Sequence, residues 1–331
     1  SEMCIRDRDE TKLDEAGMIK GTVTCDGKGI ANVVVTDGLR CVTTDKNGIY
    51  HLPNLGNTRF VYITTPAGYL TDCEQTIPRF YQEIDLSKTN EYNFRLKKNP
   101  KDDSKHLFVL EADVQAGLKE HWDLYAPIVD DYKQLIDQHT DRDVFGLNCG
   151  DIFWDTPATF FPPYIDKAKK LDIPIYRAIG NHDIDCNGAT HETSYRTFEG
   201  YFGPTHYSFN KGNAHYIVIN NNFYVGREYF YIGYVDETTF KWLEEDLSYV
   251  PKGTLVFFIT HIPTRITEQK RPFNYDYGML AGETINAESV HRLLDGYETH
   301  FILTPISYST IIRWNITQLP YAAFGGMQMS A

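Results

Sequence analysis

The sequence predicts an α/β (α+β) domain of mixed sheets flanked by helices, preceded by a small all-β sandwich. Three observations carry that expectation. Residues 17–97 hold short strand-like runs separated by Gly- and Asp-rich turns. From residue 106 onward, apolar strand-like runs alternate with stretches of helical periodicity. Four of those apolar runs end in loops bearing carboxylate, amide or imidazole side chains, the place where an α/β sheet collects functional groups.

In the first part the strand-like runs are 18–24, 31–36, 41–44, 49–52, 59–65 and 92–96. Between them lie the turn signals Asp26-Gly27, Asp37-Gly38, Asp45-Lys46-Asn47-Gly48 and Pro66-Ala67-Gly68. Short strands at this spacing predict a sandwich. Gly48 permits a turn, and Tyr50 is expected to pack between the sheets without a catalytic role. Residues 97–105 are polar and charged and include Pro100, as a linker does. The expected division is therefore a sandwich over 15–98, a linker over 99–105 and a second domain over 106–331.

In the second part, residues 122–138 place Leu124, Ile128, Val129, Tyr132, Leu135 and Ile136 at helical spacing. Residues 159–171 and 239–250 are further helix candidates, the latter with Phe240, Leu243 and Leu247 on one face. Residues 206–210 and 214–220 are expected to pair across Lys211-Gly212-Asn213. Parallel βαβ units followed by hairpins point to a mixed-sheet sandwich.

The chemistry lies at the strand ends. The run 106–110 leads into Glu111-Ala112-Asp113-Val114-Gln115, and 144–147 leads into Gly150-Asp151-Ile152-Phe153-Trp154-Asp155. The run 173–179 ends at Gly180-Asn181-His182-Asp183, and 254–259 at Thr260-His261-Ile262-Pro263. Carboxylates, an amide oxygen and imidazoles gathered in this way suit a pair of borderline-hard divalent metals.

In order and spacing, residues 105–310 resemble the calcineurin-like metallophosphoesterases, whose pattern is D-x-H, GDxxD, GNH[DE], a lone His and GHxH, each after a strand. The resemblance implies a four-layer sandwich of two mixed sheets flanked by helices. It also implies two divalent metal ions, of the Mn, Fe or Zn kind. One metal would be held by Asp113, Gln115 and Asp151, the other by Asp151, Asn181 and His261, and each would take one histidine of GHxH. Asp-x-Gln replaces Asp-x-His here, and the neutral Gln115 is the weaker ligand. His182 is implied to orient or protonate the leaving-group oxygen, with Asp155 or Asp183 orienting its ring. Metals bridged by Asp151, about 3.5–4 Å apart, would clamp a phosphoryl group and acidify a water toward a pKa of roughly 7. Phosphoryl transfer needs mainly charge neutralisation and positioning, which such a clamp supplies.

The pattern departs from the family at its last element. Where GHxH should follow the strand 301–304, this chain has Pro305-Ile306-Ser307-Tyr308. Each metal would then lack one imidazole. A catalytically impaired binding or adhesion protein on the same fold is the alternative that this departure supports. His291 and His300 are near in sequence, but His300 begins its strand and so is not expected to substitute.

Residues 21–50 resemble the carboxypeptidase-regulatory-like β-sandwich, which precedes the phosphoesterase domain in a family common in Bacteroidetes-type bacteria. By that resemblance the protein is expected to be exported, periplasmic or a lipoprotein. Residues 1–8 look like a translated sequencing-adapter remnant. Residues 1–14 are therefore expected to be non-native or disordered, the signal segment to be absent, and the phosphoesterase domain to be incomplete at its C-terminus.

Composition narrows the partners. The 331 residues are 42% hydrophobic and 23% charged, with a net charge of −13, which argues against a nucleic-acid surface. No run reaches the roughly 18 apolar residues of a membrane span. The expected partner is a phosphoester small molecule or a phosphorylated biomolecule. The high aromatic content of 14% is read as core filling. The six cysteines form no zinc pattern. Cys149 is expected to be a small core residue rather than a nucleophile, and a Cys25–Cys41 disulfide is compatible with export. His191, His206 and His215 are read as surface or core residues. Asn220, Asn221, Asn222, Arg227, Arg265 and Arg271 are candidates to line the cleft.

Overall fold

The computed structural model describes residues 18–54, 58–152, 157–227, 230–264, 281–303 and 323–324. The N-terminal region is a sandwich of two sheets. One orders the strands Lys28–Gly29, Met18–Cys25, Phe94–Lys98 and Tyr69–Leu70, with Ile49–Pro53 also paired to Met18–Cys25. The other orders Tyr81–Glu83, Phe60–Ile63, Val34–Thr36 and Cys41–Thr43. Tyr50 is buried between them, and its hydroxyl donates to Tyr92 O at 2.6 Å. The expected runs are present. Residues 69–83, read without strands, hold four more strands of two or three residues, too short for any alternation to register. Cys25 and Cys41 are separately buried free thiols, so the disulfide does not form.

The second region has four layers. One sheet is wholly parallel, in the order Ile175–Arg177, Val144–Asn148, Leu107–Glu111 and Ala323–Phe324. The other is mixed. Tyr207–Lys211 pairs antiparallel with Ala214–Val218, which continues in parallel to Leu255–Thr260 and Glu298–Leu303. The helices Lys119–Asp137, Pro157–Ala168 and Arg196–Phe202 pack against the first sheet, and Glu237–Ser248 and Ala287–Leu293 against the second. This is the expected α/β sandwich.

Helix Lys119–Asp137 buries Trp122, Tyr125, Val129, Tyr132 and Ile136, a spacing of three and four residues. Leu124, counted on the apolar face from sequence, lies on the solvent side at 57% exposure. The aromatic content is core. Tyr176, Phe209, Tyr216 and Phe257 stack in series, with successive ring centroids at 3.7, 4.9 and 4.6 Å.

The core runs without a break from Ile19, Val35 and Phe80 of the sandwich to Phe145, Tyr176 and Tyr207 of the second region. Polar contacts reinforce this joint. Tyr62 Oη donates to His206 O at 2.7 Å, Thr64 and Ser208 hydroxyls lie 2.8 Å apart, and Arg59 pairs with the buried Glu199. Within residues 99–105, Asp103 accepts from Gly68 N. Among the described residues no helix is long and apolar enough to cross a membrane.

Candidate metal centre

Each of the four strand ends reaches one point at the carboxyl edges of the two sheets. Register brings the first two together: Glu111 pairs with Asn148, so the loops after them run side by side. Asp113 N donates to Gly150 O at 3.1 Å and Gln115 N to Asp151 O at 3.0 Å. Asp113, Gln115 and Asp151 all hold left-handed backbone, with φ of 48°, 43° and 54°. Such conformations are costly for residues other than glycine and persist where the surroundings over-determine them, most often at functional sites.

Glycine is required where these loops meet. Gly150 has φ of 95°, and a Cβ there would lie 2.6 Å from Gly180 N. Asp183 staples the same contact, with Oδ1 accepting from Ile152 N at 2.9 Å and Oδ2 from Gly180 N at 2.8 Å. Burial and the nearby Asp151 charge push its carboxyl up to about 7.

Asp151 is at the centre. Its Oδ1 accepts from His182 N at 2.9 Å and stands 3.3 Å from His261 Nε2, while Oδ2 accepts from Gln115 Nε2 at 3.1 Å. Gln115 Nε2 also reaches Asp113 Oδ1 at 3.3 Å. His261 is fully buried. Its Nδ1 donates to Cys149 O at 2.9 Å, which leaves Nε2 facing Asp151 and, at 2.9 Å, Asn181 Oδ1. Burial works against the imidazolium, but the Asp151 charge and hydrogen bond, with Asp113, overcome it and hold the ring at a pKa of about 9. Asp151 is buried too, yet the facing His261 holds its carboxyl below the usual range. Burial, with Asp151 nearby, pushes Asp113 up to about 6.

This donor set fits a divalent cation. The buried Asp151 carboxylate and the half-buried Asp113 carboxylate need positive charge, supplied here by the His261 imidazolium, and the Gln115 amide adds hydrogen bonds to both. A histidine that donates its Nδ1–H to a backbone carbonyl presents Nε2 as a fixed lone pair once deprotonated, the usual support of a metal-bound imidazole. Asn181 Oδ1 adds a neutral oxygen. Among the described residues no three His, Cys, Asp or Glu side chains alone close on one point at metal-binding geometry.

Of the other candidates, Asp155, Arg265, Arg271 and the segment 305–308 lie outside the described residues. Arg227 is exposed. His291 Nε2 lies 2.7 Å from Thr264 O. His191 and His215 are buried, His215 set between Asn210 and Asp246, and His206 is half-buried with Nε2 2.9 Å from Gly38 O. Cys149 is fully buried, and burial raises its thiol far above the reactive range.

Asn220, Asn221 and Asn222 are all buried. Asn221 Nδ2 donates to Ile262 O at 2.6 Å and its Oδ1 accepts from Ile262 N at 3.1 Å, so it grips both polar groups of the residue after His261. Asn222 Nδ2 donates to Ile179 O at 2.8 Å, just ahead of Gly180. Sequence reasoning passed over Glu111 and Asn148. Both are buried polar residues closing apolar strands immediately before a ligand loop, and that placement was the available signal.

Carboxylate, amide and imidazole groups converge at the strand ends of an α/β sandwich, a donor set of the kind that divalent cations take. Residues 107–304 match the family described as calcineurin-like phosphoesterase, and residues 17–99 match the N terminal of calcineurin-like phosphoesterase. The chain belongs to the calcineurin-like phosphoesterase family. Among solved structures it is similar to a dimetal phosphatase from Danio rerio, at 15% identity over 59% of this chain and 80% of that one, with a TM-score of 0.40. No curated protein matches it.

Proposed function

We propose that this chain hydrolyses phosphate mono- or diesters at a centre of two divalent metals bridged by Asp151. The observation that supports this most directly is the buried Asp151 carboxylate, faced by His261 Nε2 on one oxygen and Gln115 on the other. Divalent metal bound there would neutralise phosphoryl charge and lower the pKa of a bound water. The chain's own residues have distinct tasks. Asp113 and Gln115 would hold one ion, Asn181 and His261 the other. The Cys149 carbonyl keeps His261 in the tautomer that exposes Nε2. The His182 backbone amide restrains Asp151 Oδ1, and the His182 ring is assigned to the leaving-group oxygen.

Elemental analysis after incubation with Mn²⁺ and removal of the excess tests the metal reading, with about two ions per chain expected for a dinuclear site. Asp151→Asn is expected to abolish hydrolysis of an aryl phosphate while the chain stays folded. Unchanged turnover in that variant would overturn the assignment.

A second reading has one observation in its favour: Pro305-Ile306-Ser307-Tyr308 stands where the family carries GHxH. On this reading the chain binds phosphorylated ligands without turnover. The triple change Pro305→Gly, Ile306→His and Tyr308→His discriminates the two. A large rise in Mn²⁺ content and hydrolysis over a silent parent supports the binding reading, and an already active parent rules it out.

A further inference from the structure

One hairpin of the N-terminal region reaches the edge of the parallel sheet. Cys73–Glu74 pairs with Ile77–Pro78, and the tip between them lies against the edge strand Ile175–Arg177, with Ile175 N donating to Thr76 O at 2.8 Å. The tip is built from residues poorly suited to it. Gln75 and Thr76 have φ of 50° and 68°, and a β-branched residue in the left-handed region is a genuine outlier. Strain of this kind is held only where neighbouring contacts require it.

Those contacts are on Arg177. Thr76 is buried, its Oγ1 accepting from Arg177 Nη2 at 2.7 Å and its carbonyl from Nη1 at 3.3 Å. Arg177 is itself only 3% exposed, its guanidinium lying over the rings of Tyr164 and Phe202. Its Nε donates to Tyr164 Oη at 3.1 Å, and Tyr164 Oη donates to Glu111 Oε2 at 2.8 Å. Glu111 also accepts from Tyr125 Oη and, at 2.6 Å, from Asn148 Nδ2. Asn148 Oδ1 then accepts from Gly150 N at 2.8 Å, one residue before Asp151. Every group in this series is buried and satisfied by the next, so none can turn away without leaving a polar group unpaired.

We propose that Thr76, Arg177, Tyr164 and Glu111 are positioning residues for the Asp151 loop, and that the N-terminal hairpin is the fixed end of the series. The β-sandwich thereby supports the geometry of the catalytic centre from behind. Glu111 lies two residues before Asp113, so the same series also restrains the start of the second ligand loop. The inference rests on the phosphoesterase reading only for what the loop carries; the mechanical link is independent of it.

The test begins on the full chain without metal. Backbone hydrogen exchange is followed in a peptide spanning residues 148–152 and in a reference peptide spanning 214–218 of the other sheet. Thr76→Val removes the hydroxyl at nearly constant volume, and Thr76→Ser restores it. Exchange over 148–152 is expected to accelerate about 2- to 30-fold in the Val variant, the range for residues along a coupled network. The reference peptide should stay unchanged, and the Ser variant should behave as the parent. Tyr164→Phe cuts the series beyond Arg177 and is expected to give the same local acceleration, which covers a Val variant that folds poorly. In the parallel metal series, Thr76→Val should weaken Mn²⁺ binding and lower kcat by a similar factor, with KM for an aryl phosphate unchanged. Equal acceleration in both peptides, or none over 148–152, overturns the positioning role. If the variants show the local effect but the parent neither binds Mn²⁺ nor turns over, this inference stands and the phosphoesterase reading is removed.

Discussion

Gly180 lies flat against Asp151: a Cβ added at Gly180 would stand 2.1 Å from the Asp151 backbone nitrogen and 2.2 Å from its carboxylate Oδ1. Both neighbours are fixed, one as backbone and the other as the central carboxylate, so neither can yield without moving the site. Gly180→Ala is expected to destabilise the chain by about 1–3 kcal/mol, the usual cost of overpacking. It should also weaken Mn²⁺ binding far more than Gly200→Ala, a position where the added methyl meets nothing within 4 Å. Calorimetric titration of the two variants checks this, and equal affinities would count against the close approach.

The pairing of His261 with Asp151 predicts a dependence of stability on metal. His261→Ala leaves the buried Asp151 carboxylate without its nearest positive partner. Breaking a buried pair from one side typically costs about 3–5 kcal/mol, so a large drop in melting temperature is expected without metal. Mn²⁺ should raise the melting temperature of the parent, by about 2.7 kcal/mol of stabilisation at a hundred times its Kd, and should raise that of His261→Ala much less. Equal shifts in both would place the ion elsewhere.

Much of this candidate site is legible in the sequence, for a physical reason. Asp113, Asp151, Asn181 and His261 each follow an apolar run long enough to read as a buried strand, and a polar residue at such a boundary is conspicuous. The supports were not legible in the same way. The link from Glu111 to Asn148 depends on the strand register, and that from Thr76 to Arg177 spans 101 residues. The hairpin Cys73–Pro78 has strands of two residues each, with no periodicity to show. The three asparagines 220–222 were visible as a polar run, but their direction was not. Burial turns Asn221 and Asn222 toward backbone groups of neighbouring loops, while Asn220 accepts from Asn222 N within the run.

The joint between the two regions should respond to pH through Glu199. Burial pushes this carboxyl up from its ordinary 4.5 to about 7, with the Arg59 guanidinium pulling it back. A value raised in the folded state means that the native chain keeps a proton that the unfolded chain releases. Its contribution to stability is therefore full below pH 4.5 and is lost as pH rises to about 7, amounting to at most about 3 kcal/mol. Glu199→Gln removes that titration. The melting temperature of the variant relative to the parent is expected to rise between pH 4.5 and 7.5, and a constant difference across that range would contradict the assignment.

Asn221 provides the sharpest test of how His261 is held. Both polar ends of its amide are committed to Ile262, and Nδ2 also reaches Thr284 Oγ1 at 2.9 Å. Ile262 is the residue after His261, so this grip sets the direction in which the chain leaves the strand Leu255–Thr260. Asn221→Leu keeps the volume but leaves the Ile262 N–H without its partner in a fully buried place, while Ile262 O keeps Thr260 Oγ1 at 3.0 Å, at a cost of about 1–3 kcal/mol. The imidazole keeps its bond to Cys149 O, so the ring is not lost from the site but is less firmly aimed. The consequence should therefore be graded: Mn²⁺ affinity about 10–100-fold weaker, the effect typical of removing an outer support of a ligand, with binding still measurable. Asn221→Asp keeps one oxygen for Ile262 N and should fall between parent and Leu variant. If the Leu variant bound Mn²⁺ as the parent does, His261 would owe its aim to the Cys149 carbonyl alone, and the asparagine would be only a packing residue.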